Sequence, residues 1–233
     1  MENAIITGAS EGVGREIALR LAEEGYRVFL LDKKVEAGSE TEEKINLFGE
    51  ARFYQVDVTD YEIYSTILEN IAEYYGGISI LINNAESVPS ELYPESEFAK
   101  WSKVIDLHIK SVMAGIQTCI RSMIDSGSII NISSLAGVGT NAHDAPEYAA
   151  SNAAVIRLTS AMSEYLAARD ITINTICTNG YTGELPKRGG QEHSLSSSLS
   201  PEEMADVIMG YINGEETGKV LVWGEDEVAY ELS

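Results

Sequence analysis

The chain opens with a strand, a glycine-rich turn and a helix, and this unit constrains the fold more than any other part of the sequence. Residues 3–7 form a short apolar run, and the turn that follows, residues 8–14, carries three glycines. An apolar side chain then recurs every four positions, at Val13, Ile17 and Leu21, which predicts one buried face of a helix. A buried strand that turns directly into such a helix is the first half of a β-α-β unit, and this unit belongs to parallel sheets.

The same alternation of short apolar runs and helical patterns continues along the chain. Further strands are predicted at residues 27–31, 51–56, 78–82, 128–132, 171–176 and 220–223. Helical patterns lie between them, at residues 12–24, within 35–49, up to 75, after 95, at 146–169 and from 201 onward. The strands are apolar on both faces, as in sheets covered by helices on both sides. The sequence therefore predicts a single α/β domain over residues 1–233, a doubly wound parallel sheet of about seven strands with helices on both faces.

The charge of the chain excludes several classes of partner. It has 16 basic and 37 acidic side chains, a formal charge of −21. A surface this acidic repels phosphate backbones and anionic lipid, which argues against nucleic acid and membranes as partners. No apolar run approaches the roughly 18 residues that cross a bilayer. The first strand begins almost at the N-terminus and leaves no room for a signal peptide, so we expect a cytoplasmic protein.

The cysteines and histidines do not predict a metal site. Cys119 and Cys177 lie far apart, each within an apolar stretch, and we interpret them as small buried side chains. His108, His143 and His193 show no metal-ligand spacing with one another or with the cysteines.

The glycine turn predicts a site for a dinucleotide. Three glycines between a strand and a helix let backbone N–H groups approach a diphosphate, and the helix N-terminus adds partial positive charge. Asp32 ends the second predicted strand, eighteen residues after Gly14, where a carboxylate can accept both hydroxyls of an adenosine ribose. Asp32 and Glu11 would both repel a 2′-phosphate, so we predict NAD rather than NADP, although Lys33 and Lys34 oppose this preference.

Several motifs in order resemble the short-chain dehydrogenase/reductase family over nearly the whole chain. They are the turn Thr7, Gly8, Gly12, Gly14; the pair Asp57-Val58; Asn83-Asn84-Ala85; Asn131-Ile132-Ser133-Ser134; Tyr148; and Ile173-Asn174. The resemblance implies a Rossmann-like fold and a cofactor site that also includes Ser10 and Val13. It implies that Tyr148 is the acid/base and that Ser134 is its partner.

The resemblance breaks at positions that matter for catalysis. The family pattern Tyr-x-x-x-Lys reads Tyr148 to Asn152 here, and the two side chains are one helical turn apart. In the family the lysine hydrogen-bonds the nicotinamide ribose and helps the tyrosine to ionise. Asn152 can do only the first, and an unassisted tyrosine has a pKa of about 10. His108 stands where the family has asparagine. Two interpretations follow, a histidine that fills a helix interface or one that replaces the lost proton relay.

Further expectations come from the resemblance in other segments. Glu86 replaces a family glycine and places a carboxylate near the cofactor ribose, and Thr182 is the candidate for the carboxamide contact. Residues 184–200 correspond to a substrate lid, whose Lys187, Arg188 and His193 could meet an acidic substrate. The two long helices resemble those that form family interfaces, which implies a homodimer or homotetramer. The apolar set on the second helix, Val155, Leu158, Met162 and Leu166, is also typical of simple core.

Three functions remain open at this stage. The first is a redox enzyme that binds NAD and moves hydride to or from a small hydroxyl or carbonyl substrate. The second is a protein that binds the cofactor without turnover, as a partner or sensor, which Asn152, His108 and Glu86 favour. The third is a lyase or isomerase that uses the same pocket without redox chemistry.

Overall fold

A computed structural model describes residues 1–87, 94–139, 143–178, 200–223 and 229–232. In these residues eight strands form one sheet in the order β3-β2-β1-β4-β5-β6-β7-β8. The first seven run parallel: β1 Asn3–Thr7, β2 Arg27–Asp32, β3 Glu50–Gln55, β4 Ile78–Asn83, β5 Met123–Ser134, β6 Ile171–Thr178 and β7 Val220–Trp223. The last strand, β8 Ala229–Leu232, pairs antiparallel with β7. The predicted doubly wound α/β fold is confirmed, with one antiparallel strand added at its edge.

Helices cover both faces of this sheet. They are α1 Gly12–Glu23, α2 Val35–Ile45, α3 Tyr61–Tyr75, α4 Phe98–Ile105, α5 Ser111–Cys119, α6 Pro146–Ala167 and α7 Pro201–Ile212. Buried side chains of α1, α2 and α7 form one apolar cluster with the sheet, and those of α3, α5 and α6 form the other. Val155 and Leu166 of α6 are fully part of the second cluster, and Leu158 and Met162 pack against it.

The helix predicted after residue 95 contains an irregular turn. Between α4 and α5 the backbone forms a π-helical segment, Asp106–Lys110, that keeps the three pieces continuous. A π-helical turn inserts an extra residue into the helix, and such turns often lie at functional sites. Periodicity alone did not reveal it, because the apolar positions on either side still fit one helical face.

A buried polar network ties α6 to the centre of the sheet. The Asn83 amide donates to Asn131 at 2.8 Å, and the Asn131 amide donates to the Thr159 hydroxyl at 2.9 Å. Thr175 donates to the same hydroxyl at 2.6 Å, and Thr159 itself donates to the Val155 carbonyl at 3.1 Å. Each of these four side chains thus has a hydrogen-bond partner within the network, which fixes the rotation of α6 relative to β4, β5 and β6.

Helix α7 and the two cysteines can be compared directly with the sequence analysis. The helix predicted from residue 201 onward is α7, which Pro201 opens and Ser200 caps in a reciprocal capping box with Glu203. Both cysteines are free and buried, and burial raises the pKa of Cys177 to about 12. No cluster of metal-ligating side chains is found in the described part of the chain. None of its helices is long and apolar enough to pass through a membrane.

Candidate cofactor and active site

The glycine turn favours glycine at three positions, two for their backbone angles and one for lack of space. Gly8 and Gly12 have φ angles of +66° and +55°, a region that glycine adopts far more readily than other residues. A Cβ atom on Gly14 would lie 2.1 Å from the carbonyl oxygen of Gly8, which is closer than any real contact. The three glycines therefore have separate structural reasons, and together they leave the backbone open to a ligand.

The N-terminus of α1, at Gly12, lies within this turn. Glu11 is the N-cap residue, and within the described residues its side chain does not cap the helix. Its carboxylate pairs instead with Lys34 Nζ, at 2.5 Å. The first turn carries no acidic residue, so the partial positive charge of the helix end is not offset there.

Asp32 lies where β2 ends, beside the glycine turn. Its carboxylate accepts hydrogen bonds from the N–H groups of Ser10 and Lys34, both at 3.1 Å. Lys33 lies 3.6 Å from Asp57, so each of the two lysines after Asp32 has an acidic partner. Because a carboxylate oxygen can accept more than one hydrogen bond, Asp32 can still receive a ligand hydroxyl.

Thr7 and Asn84 hold the turn against the end of β4. The Thr7 hydroxyl accepts from the N–H groups of Asn84 at 3.0 Å and Ala85 at 3.1 Å. The Asn84 amide donates to the carbonyls of Thr7 at 3.1 Å and Gly8 at 2.9 Å. These contacts fix the two chain segments that border the same opening at the carboxyl edge of the sheet.

An open cavity of about 520 Å³ lies at this edge. Its lining includes every described residue of the predicted cofactor set except Thr7 and Ser10, namely Gly8, Glu11, Gly12, Val13, Gly14, Asp32, Asp57, Val58, Asn84 and Ala85. The buried Ser10 instead donates to the Lys34 carbonyl, at 3.4 Å. Thr182 and lid residues 184–199 lie outside the described residues. The glycine turn and the β2 carboxylate thus border one concave site, as the sequence predicts.

Tyr148 reaches this cavity through Glu86. Tyr148 lies in the first turn of α6, is 2% exposed, and donates its hydroxyl hydrogen bond to Glu86 Oε1. Glu86 follows Ala85 and lines the cavity. Burial raises the pKa of Glu86, and the hydrogen bond from Tyr148 offsets part of that rise. Sequence reasoning placed Glu86 near a ribose and missed this contact, because the two residues are 62 positions apart.

Both the nitrogen and the oxygen of the Asn152 side-chain amide form hydrogen bonds within the protein. Its Nδ2 donates to the Tyr148 carbonyl at 3.0 Å, and its Oδ1 accepts from the Ser133 hydroxyl at 3.0 Å. Asn152 is buried, with 4% of its surface exposed. In this arrangement Asn152 holds α6 to β5, and the predicted contact with a nicotinamide ribose stays a prediction.

His108 lies in the π-helical segment and uses both ring nitrogens. Ser151 donates to the Tyr148 carbonyl at 2.9 Å, so its oxygen accepts from Nδ1–H of His108, also at 2.9 Å. Nε2 accepts from the N–H of Ser87 at 3.2 Å. Burial lowers the pKa of His108 to about 4, which keeps the ring neutral near pH 7. These contacts favour the helix-interface interpretation over the proton relay.

Ser134 ends β5 beside the start of a short 3₁₀ turn, Leu135–Gly137. Its hydroxyl accepts from the N–H of Ala136 at 3.2 Å and thereby caps that turn. The turn packs closely on α6, since a Cβ on Gly137 would lie 2.5 Å from the N atom of Ala153. Ser134 and Tyr148 are therefore held on neighbouring elements.

Comparison with known proteins identifies the family. Residues 2–191 match the model of the short chain dehydrogenase family. The chain belongs to this family. The short-chain dehydrogenase match covers the glycine turn, Asp32, Glu86, Ser134, Tyr148 and Asn152.

Individual relatives of this short-chain dehydrogenase include a 3-oxoacyl-(acyl-carrier-protein) reductase from Staphylococcus aureus. It is 37% identical over 180 residues, 75% of this chain and 72% of the relative. A reductase of the same name from Thermotoga maritima is 32% identical over 93% of this chain and 94% of its own length. The solved structure of an NAD⁺-bound xylitol dehydrogenase is 25% identical, covers 96% of this chain and 98% of its own, and gives a TM-score of 0.87.

Proposed function

We propose that the protein is an NAD(H)-dependent oxidoreductase that transfers hydride between the cofactor and a small hydroxyl or carbonyl compound. One observation carries this proposal. The hydroxyl of Tyr148 meets a carboxylate, Glu86, that lines the same cavity as the glycine turn. An acid/base group and a dinucleotide cradle thus serve one site. Family membership and relatives named reductase and dehydrogenase support the same reaction class.

The residues of the cavity suit the parts of a dinucleotide. The N–H groups around Gly12 and the open end of α1 would hold the pyrophosphate, and Asp32 would accept the ribose hydroxyls. Bound at this edge, the nicotinamide ring supplies the acceptor or donor of hydride. Tyr148 would exchange a proton with the substrate oxygen, while Ser134 would orient that oxygen.

The charges near Asp32 support NAD over NADP. Asp32 and Glu11 are both negative, and a 2′-phosphate would be repelled by each of them. Lys33 and Lys34 are the nearby cations, and both already pair with acidic side chains, Asp57 and Glu11. Their positive charge is therefore partly offset before any nucleotide binds.

We propose a homodimer because helices α4, α5 and α6 carry exposed apolar side chains. Phe98 of α4 is 83% exposed, and Met113 of α5 and Tyr165 of α6 are also exposed. Helices α4 and α6 pack against each other, and a contiguous exposed apolar patch is typical of a contact surface. Sedimentation velocity checks this, and a Phe98→Glu variant is expected to shift the distribution towards monomer.

Calorimetry with NAD⁺ and NADP⁺ tests cofactor binding directly. We expect saturable binding of NAD⁺, at least tenfold tighter than NADP⁺. A Gly14→Ala variant should abolish it, because the added methyl group collides with the Gly8 carbonyl. Absence of binding by either nucleotide at millimolar concentration would contradict the proposal.

Turnover is tested by the absorbance of reduced nicotinamide with panels of alcohols, ketones and 3-oxoacyl thioesters.

The competing function is cofactor binding without turnover, and it is favoured by one observation. Asn152 replaces the family lysine and is bonded to Ser133 and to the Tyr148 carbonyl. Tight NAD⁺ binding with no turnover across the panels would select that function.

A further inference from the structure

We propose that Glu86 takes up and returns the proton that Tyr148 exchanges with substrate. A tyrosine–carboxylate pair would then do the work of the tyrosine–lysine pair found elsewhere in the family. The inference rests on the proposed oxidoreductase function, and it concerns how that function survives with asparagine at position 152.

The geometry places the two groups in direct contact. Tyr148 donates its hydroxyl hydrogen bond to Glu86 Oε1, inside the protein but at the wall of the cavity. Tyr148 is fixed because α6 is bonded to the sheet. Glu86 is fixed because the preceding residue, Ala85, donates its N–H to Thr7 at 3.1 Å. Both partners are therefore held by contacts outside the pair.

The charges explain why a second proton acceptor is needed. A lysine would stabilise a phenolate, whereas the neutral amide of Asn152 does not, and its hydrogen bonds run to Ser133 and to a backbone carbonyl. A carboxylate beside the hydroxyl works against a phenolate, since two negative charges would adjoin. It offers instead an oxygen onto which the tyrosine can release its own proton while accepting another.

Among the residues that the structure describes, three other titratable side chains lie near the pair, and the two histidines already use ring nitrogens in other hydrogen bonds. The ring of His108 meets that of Tyr148 edge-on at 5.4 Å, and its Nε2 is occupied by the N–H of Ser87. The ring of His143 lies at 6.0 Å, with its Nδ1 against the backbone of Ala145. Glu147 is buried, and neither of its carboxylate oxygens has a hydrogen-bond partner among the described residues.

The charged side chains that line the cavity are already paired or bonded. Lys33 pairs with Asp57 and Lys34 with Glu11, while Asp32 accepts two backbone N–H bonds. Glu86 is therefore the carboxylate of the cavity that faces Tyr148.

The proton step balances in both directions. In oxidation the substrate O–H bond breaks as its proton moves to Oη of Tyr148, and the former Tyr148 proton moves to Oε1 of Glu86. The substrate carbon loses its hydrogen with two electrons to an oxidised nicotinamide dinucleotide, and a C=O bond forms. In reduction the protonated Glu86 returns its proton to Tyr148, and Tyr148 passes one to the new alkoxide.

This arrangement predicts opposite pH dependences for the two directions. Oxidation needs ionised Glu86, so kcat rises with pH through the pKa of that carboxyl group. Reduction needs protonated Glu86, so kcat falls over the same range. Both limbs lie above the usual range for glutamate, because burial raises this pKa.

The first test needs neither substrate nor cofactor. Infrared titration of the ligand-free protein follows the protonated-carboxyl band that disappears in a Glu86→Gln variant. In Tyr148→Phe the carboxylate loses its hydrogen bond, so the midpoint should move up by about one pH unit. An unchanged midpoint would overturn the pairing, whatever the enzyme's substrate.

The second test measures kcat against pH for Glu86→Gln with an alcohol from the panel that turns over. We expect kcat to fall about 100-fold and the acidic limb to vanish, with the Kd for NAD⁺ unchanged within threefold. Glu73→Gln, at an exposed position on α3, is the matched control and should keep the full profile. A Glu86→Gln enzyme that keeps both rate and limb would overturn the inference. An inactive wild-type protein whose carboxyl still titrates with Tyr148 would defeat the proposed function alone.

Discussion

At the scale of single residues, the burial of His108 makes stability depend on pH. Its pKa is about 4 in the folded chain and near 6.5 when unfolded, so the fold favours the neutral ring. The stability linked to this group is complete above pH 6.5 and is lost as pH falls towards 4, by about 3 kcal/mol. We expect His108→Asn to lose less stability over this range in urea unfolding. His143→Asn is the control, and an equal loss in all three proteins would contradict the assignment.

Asp32 has two roles that can be separated by substitution. It accepts the N–H groups of Ser10 and Lys34, and its charge is proposed to select NAD. Asp32→Asn keeps one acceptor oxygen and removes the charge, so NAD⁺ affinity should fall about tenfold while NADP⁺ affinity rises. Asp32→Ala should weaken both nucleotides, because the turn also loses its support. Calorimetry checks this, and an unchanged ratio of the two affinities in Asp32→Asn would refute the charge argument.

At the scale of elements, the cap of α7 offers a measurable contribution to stability. Ser200 accepts from the N–H of Glu203, and Glu203 accepts from the N–H of Ser200. Ser200→Ala should cost about 1 kcal/mol in the free energy of unfolding. Ser160→Ala is the control, because this exposed hydroxyl donates to the carbonyl of Ile156 in its own helix and caps no helix end. Equal effects of the two substitutions would show that the box contributes nothing beyond a lost hydroxyl.

The strands show how much of the sheet can be predicted from the sequence. Apolar runs predict β1 and β7 with the bounds that the structure gives, and they place every other parallel strand within the sheet. They stop short at β4, β5 and β6, because those strands end in buried polar residues such as Asn83, Ser134 and Thr178. Strand β8 escaped prediction because four residues with one polar position carry little pattern.

The candidate site likewise has one part that the sequence predicts and another that it does not. The glycine turn and Asp32 are readable because their spacing along the chain is local and tied to a strand and a helix. The contact of Tyr148 with Glu86 is not, because it depends on how α6 packs beside the end of β4. The inward bonds of Asn152 depend likewise on Ser133, nineteen positions away.

At the scale of the whole molecule, the acidic surface opposes compactness. A formal charge of −21 gives net repulsion that dissolved salt screens over about 10 Å at 0.1 M. We expect the urea midpoint of unfolding to rise between 0.05 and 0.5 M NaCl, and equally in KCl. A midpoint that falls with salt would mean that surface ion pairs such as Arg27–Glu50 outweigh the repulsion.

The buried network of Asn83, Asn131, Thr159 and Thr175 has a consequence for which positions of this chain can change. Each side chain of this network hydrogen-bonds another, so replacing one leaves a polar atom in the interior without a partner. A substitution in the wall of the cavity leaves this network intact. Substitutions are therefore tolerated best in the cavity wall, at positions such as 86, because they do not loosen the helix that carries Tyr148.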